Sequence, residues 1–355
     1  MKGLPQEEKI KGRGAQFNTP NRFLKERITR DETTGIDEWE EPPVTTQYIE
    51  QEVKSIVNKV DSPDVRMDYS MNPYAGCEHG CIYCFARNVH EYWGYSAGLD
   101  FETKIIVKKN AADLLYKFLM QKSWQGTPIM LSGNTDCYQP AEQTYRITRQ
   151  LLEVCEKFKQ PVGIITKNAY IINDIDILSK LAENRLVSVL FSITSLHEEL
   201  RRVLEPRTTT SRQKFKVMRQ LTDAGIRVGV MMGPMIPGLN DHEMSAIMKT
   251  AKDHGAKFTA YTFIRLNGAL PALFKDWLYK TFPDRAEKIW HQMEESHDGK
   301  VNDSRWGKRM RGEGNIAEII AQQYKKFGKL YGLNADEWSL NTSLFMRPGQ
   351  QLNLF

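Results

Sequence analysis

The stretch Met71-Asn72-Pro73-Tyr74-Ala75-Gly76-Cys77-Glu78-His79-Gly80-Cys81-Ile82-Tyr83-Cys84 decides how the rest of the chain is read. Three thiolates at C-x3-C-x2-C spacing on one loop can wrap three corners of a cubane [4Fe–4S] cluster and leave the fourth iron open to a small molecule. Gly76 and Gly80 let the backbone pass close around an inorganic core. Tyr83, just before the third cysteine, can lie beside a planar base held near the open iron. The competing reading is a structural zinc site with His79 as fourth ligand. Zinc prefers four closed ligands arranged as two pairs, however, and no second cysteine pair follows at zinc-finger distance.

Beyond the cysteines, several stretches carry a family likeness. They are Lys11-Gly12-Arg13-Gly14-Ala15, Cys84-Phe85-Ala86-Arg87, Asp100-Phe101-Glu102-Thr103-Lys104, Ser132-Gly133-Asn134-Thr135-Asp136, Glu205-Pro206-Arg207 and Arg309-Met310-Arg311-Gly312-Glu313-Gly314. With the cysteine motif they resemble the radical S-adenosylmethionine (SAM) superfamily, in the branch grouped with spore photolyase. The resemblance implies that the amino acid end of SAM chelates the open iron. It further implies that an electron from the cluster splits a carbon–sulfur bond to give a 5′-deoxyadenosyl radical. An external electron donor such as a flavodoxin or ferredoxin is implied as a partner. The likeness specifies the cofactor far better than the substrate.

At 355 residues, with 41% apolar and 26% charged residues, the composition is that of an ordinary globular protein with one large core. No apolar run approaches membrane-spanning length and no N-terminal stretch resembles a signal peptide, so a cytoplasmic location is expected. Five cysteines, three of them clustered, fit a reducing compartment better than a disulfide framework. Cys155 shares a helical face with Leu151, Leu152 and Phe158 and reads as core. With Cys137, that leaves two thiols outside the motif, too few for an auxiliary cluster. The net charge of +5 is mild. Basic residues nevertheless cluster at Lys9, Lys11, Arg13, Arg22, Lys25, Arg27 and Arg30, and again at Arg305, Lys308, Arg309 and Arg311. Either group reads as solvated surface or as a phosphate contact.

Short β-branched runs alternate with amphipathic helical patterns from about residue 65 to 265, the signature of repeated βα units on a parallel sheet. Strands are expected at 66–72, 129–132, 162–166, 187–193, 227–232 and 258–264. Helices are expected at 111–122, 142–159, 175–184, 211–224 and 241–254, with Ser211 and Asp241 as N-caps and Gly225 and Gly255 as C-cap glycines. Six strands predict an α/β fold, a partial six-stranded (β/α)6 TIM-like barrel open on one side, as the resemblance also implies. Residues 1–64 read as an N-terminal arm, with a helix at 48–60, and 266–355 as a mainly helical extension with patterns at 285–295 and 316–331.

Ligands of parallel βα sheets collect at the carboxyl ends of strands. The candidates there are Ser132, Gly133, Asn134 and Asp136 after the second strand, Lys167 after the third, Ser192 and Ser195 after the fourth, and Ile236 and Pro237 in the kinked loop after the fifth. The resemblance assigns the methionyl ammonium to Asp136 and its carboxylate to Lys167, and the apolar loop suits adenine. Bland alternatives stand beside each: a solvent-facing lysine, turn-forming serines, a plain turn. Glu205, Arg207 and Arg265 read either as substrate contacts or as structural ion pairs. Cys137, beside Asp136, is a candidate hydrogen-atom donor, although the donor position of spore photolyase falls on Asn134 by spacing.

The final residues Gln351-Leu352-Asn353-Leu354-Phe355 resemble the pentapeptide by which bacterial replication and repair proteins dock on the sliding DNA clamp, with Leu354 and Phe355 as apolar anchors. The leading expectation is a radical SAM enzyme acting on nucleic acid, DNA before RNA. The alternatives are modification of RNA or a protein side chain with the same cofactor, and a non-catalytic iron–sulfur or zinc scaffold.

Overall fold

In the computed structural model, which describes residues 10–24, 44–65 and 67–349, the parallel core forms where β-branched runs are longest. Among the described residues ten strands run in chain order: β1 Gln47–Gln51, β2 Val57–Lys59, β3 Tyr69–Met71, β4 Tyr74–Ala75, β5 Lys104–Lys108, β6 Ile129–Leu131, β7 Val162–Thr166, β8 Val187–Ser192, β9 Arg227–Met235 and β10 Phe258–Phe263. One sheet has the order β10-β9-β8-β7-β6-β3-β2. Its neighbours from β3 to β10 are all parallel, and β2 pairs antiparallel at the edge. Strands covered on both faces read as continuous apolar runs, as Val162-Gly163-Ile164-Ile165 does. The helices between them bury one stripe each; Ile147–Phe158 buries Ile147, Leu151, Leu152, Cys155 and Phe158. Cys155 is core, as its spacing predicts.

Three local expectations are corrected. The helix expected at 48–60 is instead β1 and β2. Tyr48 and Ile49 pair in parallel with Ile105 and Ile106 of β5, giving a second sheet of order β1-β5-β4. A partner more than fifty residues away overrides the local helical pattern. The helix expected at 142–159 breaks at Arg146, which is left-handed at φ 50°. Its second half starts at Ile147, where the Glu142 carboxylate accepts from the N–H groups of Thr148 (3.1 Å) and Arg149 (3.3 Å). The cap expected at Ser211 falls on Thr210, whose hydroxyl accepts from Gln213 N–H. Gly225 and Gly255 end their helices at positive φ, as expected.

Residues after β10 are mainly helical, in Leu270–Thr281, Ala286–Glu295 and Gly314–Leu330. Among the described residues no helix is long and apolar enough to cross a membrane. The clamp-like tail, Gln351 to Phe355, lies outside the described residues, as do Lys9, Lys25, Arg27 and Arg30 of the basic arm.

Two edges of the main sheet meet through the C-terminal segment. Phe263 N–H at the end of β10 donates to Met310 O at 2.9 Å. One residue earlier, Arg309 pairs with Asp64 and donates to Ser62 Oγ at 2.7 Å, just beyond β2. Asp64 also accepts from Gly307 N–H at 2.6 Å. Residues 307–310 therefore strap β10 to the β2 side of the sheet.

Candidate active site

The three cysteines follow β3 and β4 on a loop whose backbone is held by one buried arginine. Arg87, fully buried, donates to the carbonyls of Cys81 (3.0 Å), Gly80 (3.1 Å), Gly98 (3.0 Å) and Ala97 (3.2 Å), and pairs with Glu102. Glu102 also accepts from the N–H groups of Gly14 (3.0 Å) and Ala15 (2.8 Å). The N-terminal arm thus lies directly on the cysteine loop. A Cβ on Gly14 would stand 2.0 Å from Gly80 O, so only glycine lets the two backbones approach. Gly80 itself has φ 66° and Gly76 φ 77°. Arg13 is buried and donates to Glu102 O and to Thr46, which assigns it to the scaffold and removes it from the candidate phosphate contacts.

Cys77 and Cys81 are buried and Cys84 is half-buried. Burial pushes the Cys81 and Cys84 thiols up, so they reach the thiolate state through metal coordination. The donor set also discriminates between metals. Four sulfur ligands on one tetrahedral zinc sit about 3.8 Å apart. Among the described residues, the group of three whose ligand atoms all lie within 4.8 Å of one another is His197, His242 and Glu243, not the cysteines. His79, the candidate fourth zinc ligand, instead points Nδ1 to 3.4 Å from Asp136. Burial opposes its charge, but the Cys77 sulfur and Asp136 outweigh this and push it up to about 10. Three sulfurs not gathered within 4.8 Å of one another, with His79 turned to Asp136 beside Cys77, fit a cluster better than one tetrahedral ion.

Beside Cys84 opens a cavity of about 490 Å³ at the carboxyl ends of the strands. Tyr83, Ser132, Gly133, Asn134, Asp136, Lys167 and Ser192 all line it. The structure brings these sequence candidates together. Ser132 holds the left-handed region at φ 71°, a strained backbone of the kind that gathers at functional sites. Its hydroxyl accepts from Cys137 N–H at 2.7 Å. Asn134 N–H donates to Asn72 at 2.8 Å, while its buried Oδ1 has no partner.

Asp136 accepts from Thr166 Oγ1 (2.8 Å), Lys167 N–H (2.7 Å) and Tyr138 N–H (2.9 Å). Burial works against its ionisation, but His79 and these donors overcome it and bring the carboxyl down to about 2. It is a carboxylate with most of its lone pairs already committed. The Lys167 ammonium stands 6.0 Å from the Tyr83 ring centre. Burial disfavours its charge, yet the sulfurs of Cys81 and Cys84 and the carboxylates of Glu205 and Asp136 hold its pKa above the ordinary value. Tyr83 is locked from behind: its hydroxyl donates to Glu205, which is fully buried and 3.6 Å from the Lys214 ammonium. Glu205 is thus a structural partner. Arg207 likewise turns to Gly12 O at 3.2 Å and to Glu78.

Four candidates fall elsewhere. Ile236 and Pro237 are buried outside the lining, because β9 runs three residues further than expected, to Met235. Gly233 and Pro234 occupy the wall in their place. Cys137 is fully buried in the core, its carbonyl accepting from Thr148, and it does not line the cavity. Ser195 turns away and donates to Glu243 at 2.7 Å. Sequence reasoning missed Phe85 and Met310 as lining residues. It also missed the Arg87–Glu102 knot. All four stand in stretches that carried the family likeness, so the signal was present without a geometry to interpret it.

Residues 71–251, just over half of the chain, match the Radical SAM superfamily. The chain belongs to that superfamily. Its cofactors are a [4Fe–4S] cluster and SAM. An uncharacterized protein of Mycobacterium tuberculosis is 31% identical over 234 residues, covering 65% of this chain and 69% of its own. An uncharacterized protein of Methanocaldococcus jannaschii is 26% identical over 243 residues, 68% of this chain and 86% of its own. In fold, the chain is similar to spore photoproduct lyase complexed with dinucleoside spore photoproduct. The TM-score is 0.60 at 14% identity, over 81% of this chain and 80% of that one.

Proposed function

We propose that this radical SAM protein acts on a base of nucleic acid, DNA before RNA, with Cys77, Cys81 and Cys84 holding the cluster. When bound, the cluster and SAM supply a 5′-deoxyadenosyl radical able to abstract hydrogen. The protein's own groups bind and orient. Lys167, held charged, faces the methionyl carboxylate, where a charge-assisted hydrogen bond is strongest. The unpartnered Oδ1 of Asn134 and the remaining lone pair of Asp136 face the ammonium. Tyr83, fixed by Glu205, and the Gly233–Pro234 turn flank the nucleoside, and Ser192 reaches its ribose. The carrying observation is that Cys84 and these polar groups line one cavity.

The nucleic-acid part of the reading draws on the fold shared with spore photoproduct lyase and on the cations at the cavity mouth. Since Cys137 lies outside the lining, the reading assigns it no hydrogen-donor role. The protein draws its electron from a donor such as flavodoxin or ferredoxin, and the tail at Gln351, Leu352, Leu354 and Phe355 docks on a sliding clamp. Equal clamp retention by a chain ending at Gln350 would remove that last point.

The test is anaerobic reconstitution with iron and sulfide, followed by reductant, SAM and deuterated oligonucleotides carrying base lesions. Release of 5′-deoxyadenosine bearing deuterium supports the reading. Release of unlabelled 5′-deoxyadenosine across every nucleic-acid substrate would leave the superfamily intact and sink the substrate.

A further inference from the structure

The cavity wall opposite the cysteine loop carries a charge that the cofactor does not require. The lining contains three cations, Lys167, Arg265 and Arg309, against one carboxylate, Asp136. Lys167 sits on the cofactor side, near Tyr83. Arg265, at the end of β10, is half-buried, and among the described residues its guanidinium has no hydrogen bond or ion pair. Burial and the like charge of Arg309 both act to strip its proton, and Asp64 opposes them only from a distance. Arg13, Arg87 and Arg201, buried elsewhere, are each tied to carbonyl or carboxylate oxygens. A guanidinium half-removed from water and left unpaired is a standing cost, which an anion relieves.

Two exposed rings frame the cavity mouth, one from the cysteine side and one from beside the strap. Phe85, next to Cys84, lines the cavity and is 49% exposed. Trp306, 54% exposed, lies with its ring centre 3.7 Å from the Arg309 guanidinium. Exposed rings interleaved with arginines are the chemistry that takes unstacked bases together with their phosphates.

We propose that this mouth is a phosphodiester site: Arg265, with Arg309 behind it, holds the backbone of an unpaired or everted strand while Phe85 and Trp306 stack its bases. The inference rests on the nucleic-acid reading above and sharpens it. A reacting base must leave a duplex to enter a cavity beside the cysteine loop, so the site is built for single-stranded or flipped substrate.

The experiment measures anisotropy of a labelled single-stranded DNA, the RNA of the same sequence and the paired duplex. It uses full-length, cluster-loaded protein across a salt series, with melting curves to confirm that each variant is folded. Wild type is expected to favour the single strand over the duplex. Arg265→Ala should weaken it about tenfold and reduce the slope of log K against log salt by about 0.7, the loss of one phosphate contact. Arg265→Lys should keep the slope, and Phe85→Ala should weaken binding without changing it. The tighter of the DNA and RNA arms names the source of the phosphodiester. Equal affinity and slope for wild type and Arg265→Ala would overturn this inference alone. Failure of wild type to bind any of the three, with 5′-deoxyadenosine still formed, would overturn both it and the substrate reading.

Discussion

The two walls of one cavity are built to opposite rules. On the cysteine side most buried charges already have partners: Arg87 with Glu102 and four carbonyls, Glu205 with Lys214, Tyr83 and Thr194, Asp136 with three donors, while the Lys167 ammonium is held charged beside them without a direct bond among the described residues. On the β10 side, Arg265 has none among the described residues and the Trp306 ring beside the strap stays exposed. A polar network satisfied in advance is rigid and holds a fixed guest. A wall with unspent donors waits for a guest that arrives and leaves. On the function proposed above, the contrast would divide resident cofactor from passing substrate.

Removing a cysteine should have the largest effect. Cys77→Ala, Cys81→Ala or Cys84→Ala should abolish the brown cluster and lower 5′-deoxyadenosine formation by more than about a hundredfold, since coordination and chemistry fail together. Retention of activity by any one of them would break the assignment of that side as the cofactor wall. Next comes the knot beneath the loop. Arg87→Ala leaves Glu102 as an unpaired buried charge and orphans the carbonyls of Gly80 and Cys81, which should cost roughly 3–5 kcal/mol. Thermal or denaturant unfolding measures it, with cluster retention as the second readout. An effect no larger than that of a surface arginine would show the cysteine side to be less firmly fixed than its contacts imply.

The six parallel strands of the main sheet and the cysteine loop were legible because their signals are local. β7 was read at its observed bounds, and β-branched runs bounded by glycine and proline need no distant information. Tyr83 was legible from its place just before the third cysteine, and Asn134, Asp136 and Lys167 as polar residues at strand ends, with the roles of Asp136 and Lys167 supplied by the resemblance. What escaped was non-local. The pairing of β1 with β5, the three-residue extension of β9 that moved Gly233 and Pro234 into the wall, and the strap carrying Arg309 each depend on contacts far apart in sequence. Arg265 was visible as a candidate, but its lack of a partner could be seen only once its surroundings were in place.

A pH measurement probes the rigid side at intermediate size. Burial raises the Glu142 carboxyl from 4.5 to about 7, although Tyr74 and the N–H groups of Thr148 and Arg149 work against it. The folded state therefore keeps this proton longer than the unfolded one. Its contribution is fully present below pH 4.5, declines as pH rises toward 7, and amounts to about 3 kcal/mol over that window. Glu142→Gln should flatten that slope, so its stability relative to wild type should climb between those limits. A pH-independent difference would show that the carboxyl is not held neutral.

The smallest effect should appear at the strap, where the two walls differ most sharply in sign. Asp64 partly neutralises Arg309, whose position is independently set by Ser62, by stacking on Trp306 and by the Met310–Phe263 backbone bond. Asp64→Asn keeps an acceptor for Gly307 N–H while freeing a positive charge at the mouth. If that wall awaits an anion, single-strand affinity should rise about threefold and its salt slope should steepen, opposite in direction to Arg265→Ala. A fall in affinity would mean that Asp64 matters for where it places Arg309. The β10 wall would then belong, like the cysteine wall, to the class of sites fixed in advance.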